Sequence, residues 1–193
     1  MDNKVKLIDP TRIMALVDGI YAFAMTLLVI TIEPPKVPIL ELPAAIYADS
    51  DKFLSYLISF VVLGSFWVVH QKLFSMIKGV TDGYVWLNIF TMMFIVLIPY
   101  ATEITGDYSN SVFGNVVFNI IMLLAGVFNY ILWRNAFKNK LLKEEFEGAK
   151  FNLGRAMVMP IASIAGIGLS FIIPSWSPIV YMFVPISFRL FIK

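Results

Sequence analysis

The sequence predicts an all-α membrane protein whose chain crosses the bilayer six times. Of its 193 residues, 59% are hydrophobic and only 15% are charged, and the apolar residues fall into separate long runs. A soluble domain of this size needs a much larger charged surface. The expected crossings lie near residues 13–32, 53–70, 84–102, 112–133, 153–173 and 177–192. Together they predict one transmembrane domain over residues 1–193.

The basic residues predict the orientation, because cytoplasmic loops carry an excess of lysine and arginine. With these spans, both termini, the second and fourth connections and the start of the fifth helix share one side. That side holds Lys4, Lys6, Arg12, Lys72, Lys78, Arg134, Lys138, Lys140, Lys143, Lys150, Arg155, Arg189 and Lys193. The other side holds only Lys36 and Lys52. Both termini are therefore expected in the cytoplasm.

Prolines and charged runs set the expected ends of the spans. Pro34 and Pro35 prevent the first helix from continuing, because proline lacks the backbone donor and clashes with the preceding turn. Residues 36–52 are expected to form an external connection, and its apolar middle, 38–48, is short and broken by prolines, so it predicts an interfacial segment rather than a crossing. The mostly charged stretch 134–150 predicts a cytoplasmic helical hairpin arm.

The composition excludes several function classes. The chain has no cysteine and a single histidine, which removes thiolate chemistry and His-rich metal sites. Paired intramembrane aspartates and a nucleophile with an adjacent base are also missing, so no enzyme is expected. The net charge of +2 has no basic motif behind it, so nucleic acid is not an expected partner. No cofactor is expected.

The first span is apolar except for Asp18. A carboxylate facing lipid is costly, so such residues usually face protein or water. Four other residues of this span fall within one arc of roughly 100° that excludes Asp18: Phe23, Thr26, Leu27 and Ile30. The pattern predicts that the arc lines a pore and that Asp18 faces the subunit's own bundle. A lipid-facing or buried stripe fits the spacing as well.

Four polar residues are expected near the cytoplasmic ends of the first three spans: Asp18, Trp67, His70 and Asn88. The Asp18 carboxylate would then accept hydrogen bonds from the indole, the imidazole and the carboxamide. A structural polar staple and a proton relay through Asp18 and His70 both fit this pattern. Arg12 is expected to pair with a neighbouring helix, another subunit or phosphate headgroups. Interhelical hydrogen bonds are the expected role of the asparagines in the fourth span, Asn115, Asn119 and Asn129.

Four short motifs occur in order along the chain: Arg12-x-x-x-Leu16-Val17-Asp18-Gly19, Trp67-x-x-His70 followed by Phe74, Leu87-Asn88 followed by Leu97-Ile98-Pro99-Tyr100-Ala101-Thr102, and Arg155 with Pro160. The first resembles the Arg-x-x-x-Phe-Ser-Asp motif of the lysosomal potassium channel family, transmembrane protein 175, and its prokaryotic homologues. The other three are similar to later motifs of that family. Leu16-Val17 replaces Phe-Ser, Gln71 stands where a second histidine is common, and Phe23 is bulkier than the usual constriction residue.

The resemblance implies a homotetramer of six-helix subunits around a central pore lined by the first helix, in a prokaryotic cell membrane. It implies a hydrophobic constriction at Phe23, with further layers at Thr26, Leu27 and Ile30. The residues that hold the pore helix would be Arg12, Asp18, Trp67, His70 and Asn88.

The implied function is passive, potassium-preferring cation flow through a hydrophobic gate. The partners would be the bilayer and monovalent cations, with no bound metal beyond permeating K⁺. The alternative is a proton-coupled secondary transporter that uses Asp18 and His70.

Overall fold

The computed structural model describes residues 7–146 and 153–185, with side chains from residue 157 in the second range. The helices of these ranges are α1 (Thr11–Ile30), α2 (Leu42–Ala48), α3 (Ser50–Met76), α4 (Asp82–Val96), α5 (Ile98–Asp107), α6 (Val112–Lys138) and α7 (Leu153–Ser170). Two 3-10 elements follow α6 and α7, at Glu144–Phe146 and Pro174–Phe183; the second is called the 3-10 segment below. The all-α fold class is confirmed for the described residues.

Four helical stretches are long and apolar enough to cross a membrane: Thr11–Ile30, Ser50–Met76, Asp82–Asp107 and Val112–Lys138. They correspond to the first four predicted spans. The fifth predicted span, 153–173, corresponds to α7, whose apolar part Met157–Ser170 is shorter. The predicted external connection 36–52 contains α2, a two-turn helix without a buried residue.

The third predicted span is interrupted near its middle. It was expected as one helix over 84–102, but α4 ends at Val96 and α5 begins at Ile98. Pro99 is the physical reason, because it has no N–H to donate to the carbonyl one turn earlier. Leu97 instead donates to the Phe94 carbonyl at 3.2 Å, which is the tighter 3-10 pattern.

The sixth predicted span, 177–192, is a 3-10 helix rather than an α-helix over residues 177–183, and only residues 184 and 185 of its described part are α-helical. The 3-10 segment covers Pro174–Phe183, and Pro178 removes a backbone donor inside it. Residues 186–193 of this predicted span lie outside the described residues.

The bundle buries one face of α1. Val17, Tyr21, Ala24 and Leu28 are each at most 2% exposed and belong to the main apolar core. Their spacing of four, three and four residues places them on one side of the helix. This side packs against α3, α4 and α5. On the far side of the bundle, α6 packs against α4, α5 and α7, and the 3-10 segment packs against α7, α3 and α6.

Short extended segments join three helix ends at one end of the bundle. Ile8 pairs with Val80 through hydrogen bonds of 2.8 and 3.0 Å, and Ile77 pairs with Leu142. Gly79 allows this approach, because a Cβ there would lie 2.8 Å from the Cβ of Leu7. The segment before α1 is therefore fixed to the α3–α4 connection.

The predicted helical hairpin arm over 134–150 is wrong for its described part. The helix α6 continues to Lys138 and then ends in a Schellman motif. The Leu141 N–H donates to the Ala136 carbonyl at 3.0 Å and the Lys140 N–H to the Phe137 carbonyl at 3.3 Å. The chain then runs extended beside Ile77, because the apolar side chains of Leu141 and Leu142 are buried there.

Lys140→Gly is expected to raise the free energy of unfolding by about 1 kcal/mol. Lys140 has a φ of 53°, and it is the one described residue other than glycine with a positive φ. Glycine adopts this conformation without the steric penalty of a Cβ. The measurement is thermal or denaturant unfolding in detergent, compared with Lys138→Gly, which places glycine in the last turn of α6 and is expected to destabilise. A Lys140→Gly protein that unfolds more easily than the native chain would contradict this assignment of the helix end.

Candidate functional site

The face of α1 opposite the core is exposed in the single subunit. Phe23 is 60% exposed and Ile30 is 68% exposed, while Thr26 is exposed and Leu27 is half-buried. The structure therefore places Phe23, Thr26 and Ile30 away from the buried residues of the same helix, whereas Leu27 lies at the edge of the buried face.

The Thr26 hydroxyl donates its proton to the Phe23 carbonyl at 2.8 Å. This bond back to the preceding turn is the usual one for threonine in a helix. Because the proton is used within α1, the Oγ1 lone pairs are the groups that Thr26 presents outward.

Asp18 lies half-buried beside α3 and accepts two hydrogen bonds through one carboxylate oxygen. The Trp67 Nε1–H donates to Asp18 Oδ1 at 3.0 Å. Gln71 also donates to this oxygen through its side-chain amide. These contacts fasten the first third of α1 to α3, and they satisfy part of the carboxylate's hydrogen-bonding capacity.

His70 and Asn88 form a separate buried pair. His70 Nε2 lies 3.0 Å from Asn88 Oδ1, and Asn88 Nδ2 donates to the Tyr84 carbonyl at 3.1 Å. Because the Asn88 amide nitrogen is used as a donor, Oδ1 is its acceptor and His70 donates through Nε2. The imidazole lies between Phe74, stacked at 5.0 Å between centroids, and the edge of Tyr21 at 5.9 Å.

The five polar residues expected to hold the first helix therefore do not form one network in the structure. Trp67 contacts Asp18, whereas His70 and Asn88 contact each other and not Asp18. Arg12 is exposed and has no ion pair or hydrogen bond with another described residue. It shares the outward face of α1 with Phe23, because eleven residues correspond to about three full turns.

Gln71 was missed as a partner of Asp18. Its signal was present in the sequence, because Gln71 follows Trp67 by four residues and positions i and i+4 share one face of a helix. His70 is rotated by about 100° from Gln71. It therefore points toward α4 and Tyr21 when Gln71 points toward Asp18.

A second polar cluster joins α6, α7 and the 3-10 segment. The Asn119 amide nitrogen donates to the Asn115 carbonyl at 2.8 Å and to Ser170 Oγ at 3.2 Å. Asn119 Oδ1 accepts from the Tyr181 hydroxyl at 2.7 Å, and Asn115 Oδ1 accepts from Ser177 at 3.2 Å. The expected interhelical bonding is confirmed for these two asparagines. Asn129 Nδ2 is buried without a partner among the described residues.

The fold and the exposed apolar face of α1 define the class: an integral membrane protein with several spanning helices. The comparisons with known proteins name the family. A family model described as the endosomal/lysosomal potassium channel TMEM175 matches residues 12–99. The solved structure of a lysosomal potassium-selective channel TMEM175 homologue from Chamaesiphon minutus has a TM-score of 0.80 and 25% identity, covering 93% of this chain and 96% of its own.

Sequence relatives extend the match. A potassium channel from Streptomyces collinus is 28% identical over 63% of this chain and 62% of its own length. The human endosomal/lysosomal proton channel TMEM175 is 28% identical over 80% of this chain and 33% of its own length. The chain is therefore similar to channels of the TMEM175 family, and the resemblance inferred from its motifs is confirmed. These relatives are channels rather than enzymes.

Proposed function

We propose that residues 1–193 form a single channel domain, and that four copies assemble around a central pore lined by α1. Each subunit would cross the membrane six times with both termini in the cytoplasm. The channel would conduct monovalent cations passively and prefer potassium. A ring of Phe23 side chains would form the constriction, with Thr26, Leu27 and Ile30 lining the rest of the pathway.

The observation that carries this proposal is the exposed face of α1. Leu16, Phe23 and Ile30 follow one another at seven-residue intervals and are 53%, 60% and 68% exposed. Gly19 and Thr26 lie between them on the same side. A repeat of seven, split as four and three, is the spacing that lets helices pack around a common left-handed axis. The opposite face of α1 is already occupied by α3, α4 and α5.

Selection in such a pore depends on dehydration at an apolar ring rather than on backbone carbonyls. Potassium holds its water less tightly than sodium, so it loses less free energy when the ring forces partial dehydration. The Thr26 hydroxyl donates its proton to the Phe23 carbonyl, and its oxygen offers a weak ligand one turn to the external side of that ring. Weak ligands let an ion leave as well as enter.

The polar contacts of Asp18 support this role by holding the pore helix. Asp18 joins α1 to α3 through Trp67 and Gln71. The transporter alternative needs a proton to pass between Asp18 and His70. In the described part of the chain no hydrogen bond or ion pair joins the two residues, and His70 is hydrogen-bonded to Asn88 instead. A positioning role for Asp18 is therefore preferred.

Ion flux into liposomes that contain the purified protein tests the proposal. We expect potassium flux without any proton gradient, a smaller sodium flux, and retention of both in Asp18→Asn, which keeps an acceptor oxygen for Trp67. Proton flux is measured in parallel, because the human relative is named a proton channel. Potassium movement that requires a proton gradient and disappears in a folded Asp18→Asn protein would establish the transporter alternative.

A further inference from the structure

Two buried hydroxyl groups near α2 have unused hydrogen-bonding capacity. Ser55 on α3 is 6% exposed and Thr105 on α5 is 1% exposed. Thr105 Oγ1 has no hydrogen-bond partner within the described ranges, and Ser55 makes no hydrogen bond with a described residue. By contrast, the buried hydroxyls of Thr91 and Ser163 each donate to a carbonyl of their own helix. A buried polar group without a partner is costly, so the Thr105 hydroxyl indicates a missing ligand, and Ser55 offers a second free hydroxyl for it.

Both residues line one small cavity between α3, α5 and the 3-10 segment. Its volume of about 10 Å³ accommodates one particle of the size of a water molecule. The other lining residues with side-chain oxygen are Asp51, Ser109 and Ser175, and Trp176 is the one lining residue with a side-chain nitrogen. Ser109 donates its proton to Asp51 Oδ2 at 2.5 Å, and Ser175 donates to Asn110 Oδ1 at 2.7 Å. Their own oxygen lone pairs remain as acceptors.

Asp51 brings a negative charge that no basic side chain balances. The neighbouring carboxylates of Asp49 and Asp107 share Lys52, whose Nζ lies 3.4 Å and 3.1 Å from them. Asp51 forms no ion pair with another described residue, and its recorded hydrogen bond comes from Ser109. An oxygen-lined cavity with one free carboxylate therefore favours a hard cation over a neutral guest.

We propose that this cavity binds a single monovalent cation, sodium or potassium, through Asp51, Ser55 and Thr105. The oxygens of Ser109 and Ser175 complete the set of ligands. A divalent ion fits less well, because the described residues hold no group of three or more acidic or histidine side chains. Since α1 does not line the cavity, this site is separate from the pathway proposed above. The bound ion fastens the 3-10 segment to α3 and α5.

Thermal unfolding of the purified full-length protein tests the site. The protein is dialysed into NaCl, KCl or choline chloride at equal ionic strength. We expect the unfolding temperature to be about 3 °C higher in the salt of the bound ion than in choline chloride, because a ligand that binds only the folded state stabilises it. The difference between NaCl and KCl identifies which of the two ions the cavity holds.

The variants locate the effect. Asp51→Asn and Thr105→Val are both expected to abolish the dependence of the unfolding temperature on the ion. Asp51 is exposed, so its replacement preserves the fold. Thr102→Val is the matched control: the Thr102 hydroxyl bonds to Ser59 and to the Ile98 carbonyl, away from the cavity. This control should unfold at a lower temperature in all three salts and keep the difference between them.

Equal unfolding temperatures of the native protein in the three salts would mean that the cavity holds only water, and would overturn the proposal. An ion effect that persists in Asp51→Asn would place the ion elsewhere and overturn it as well, whereas the flux experiment is unaffected by either result.

Discussion

Gly166→Ala is expected to lower the free energy of unfolding by about 3 kcal/mol. A Cβ at this position on α7 would collide with Asn119 Oδ1 and lie 2.8 Å from its Cγ. The Asn119 carboxamide cannot move aside freely, because four hydrogen bonds tie it to Asn115, Ser170, Ser177 and Tyr181. If it moves, the buried Tyr181 hydroxyl loses its acceptor; if it stays, α7 must withdraw from α6. Denaturant unfolding in detergent measures the loss.

Gly168→Ala is the matched control, because a Cβ at Gly168 has no atom within 4 Å. This variant should be as stable as the native chain or slightly more stable, since alanine favours the helix by up to about 1 kcal/mol over glycine.

A double variant tests whether the collision with Asn119 causes the loss of stability. Gly166→Ala combined with Asn119→Ala should unfold no more easily than Asn119→Ala alone, because the colliding group is gone. Additive losses in the double variant would show that the contact with Asn119 is not the cause.

Phe23→Ala is expected to raise the cation flux about tenfold and to reduce the preference for potassium over sodium. Phe23 has the largest side chain of the proposed pore face and is 60% exposed in the subunit. Removing the ring widens the constriction, so less water must be stripped from an ion that passes. A barrier lower by about 1.4 kcal/mol corresponds to a tenfold faster passage. Potassium and sodium fluxes into liposomes, measured at matched protein density, give both quantities.

An exposed aromatic residue away from α1 provides the control for Phe23. Phe171 follows the end of α7 and is 69% exposed. Phe171→Ala should leave the flux and the ion preference unchanged, because it removes a comparable ring outside the proposed pathway. If both alanine variants behaved like the native protein, Phe23 would not be the constriction.

The long helices could be predicted from the sequence because their continuous apolar runs are longer than those typical of helices in soluble proteins. The interruptions within the predicted spans were harder to predict. Pro99 lies within the predicted third span, yet the break at Leu97 requires knowing which carbonyl loses its donor. The 3-10 form of Pro174–Phe183 depends on two prolines and on packing against α3 and α7. This packing involves residues distant in sequence, so the local sequence pattern does not predict it.

The polar contacts show the same limit at the level of single residues. The hydrogen bond between Trp67 and Asp18 was anticipated, because both lie at similar depth on adjacent helices. His70 was expected as a further donor to Asp18, but Gln71 takes this role in the structure. The sequence did not predict this, because neighbouring residues on a helix point about 100° apart and a small rotation of α3 decides which of them faces α1. The assignment of a motif to a helix can be read from sequence, while the rotation of that helix requires the structure.

Single-cysteine variants test most directly whether α1 lines a pore. The chain contains no cysteine, so each variant carries one thiol without further substitutions. Thr26→Cys and Ile30→Cys lie on the proposed pore face, and Ile164→Cys, at a position 61% exposed on α7, is the control. A cationic, membrane-impermeant thiol reagent should block potassium flux through the two α1 variants and leave the Ile164→Cys protein conducting. Flux through Thr26→Cys and Ile30→Cys that survives the reagent, with both thiols reacting only with a lipid-soluble reagent, would place this face of α1 against lipid and contradict the account.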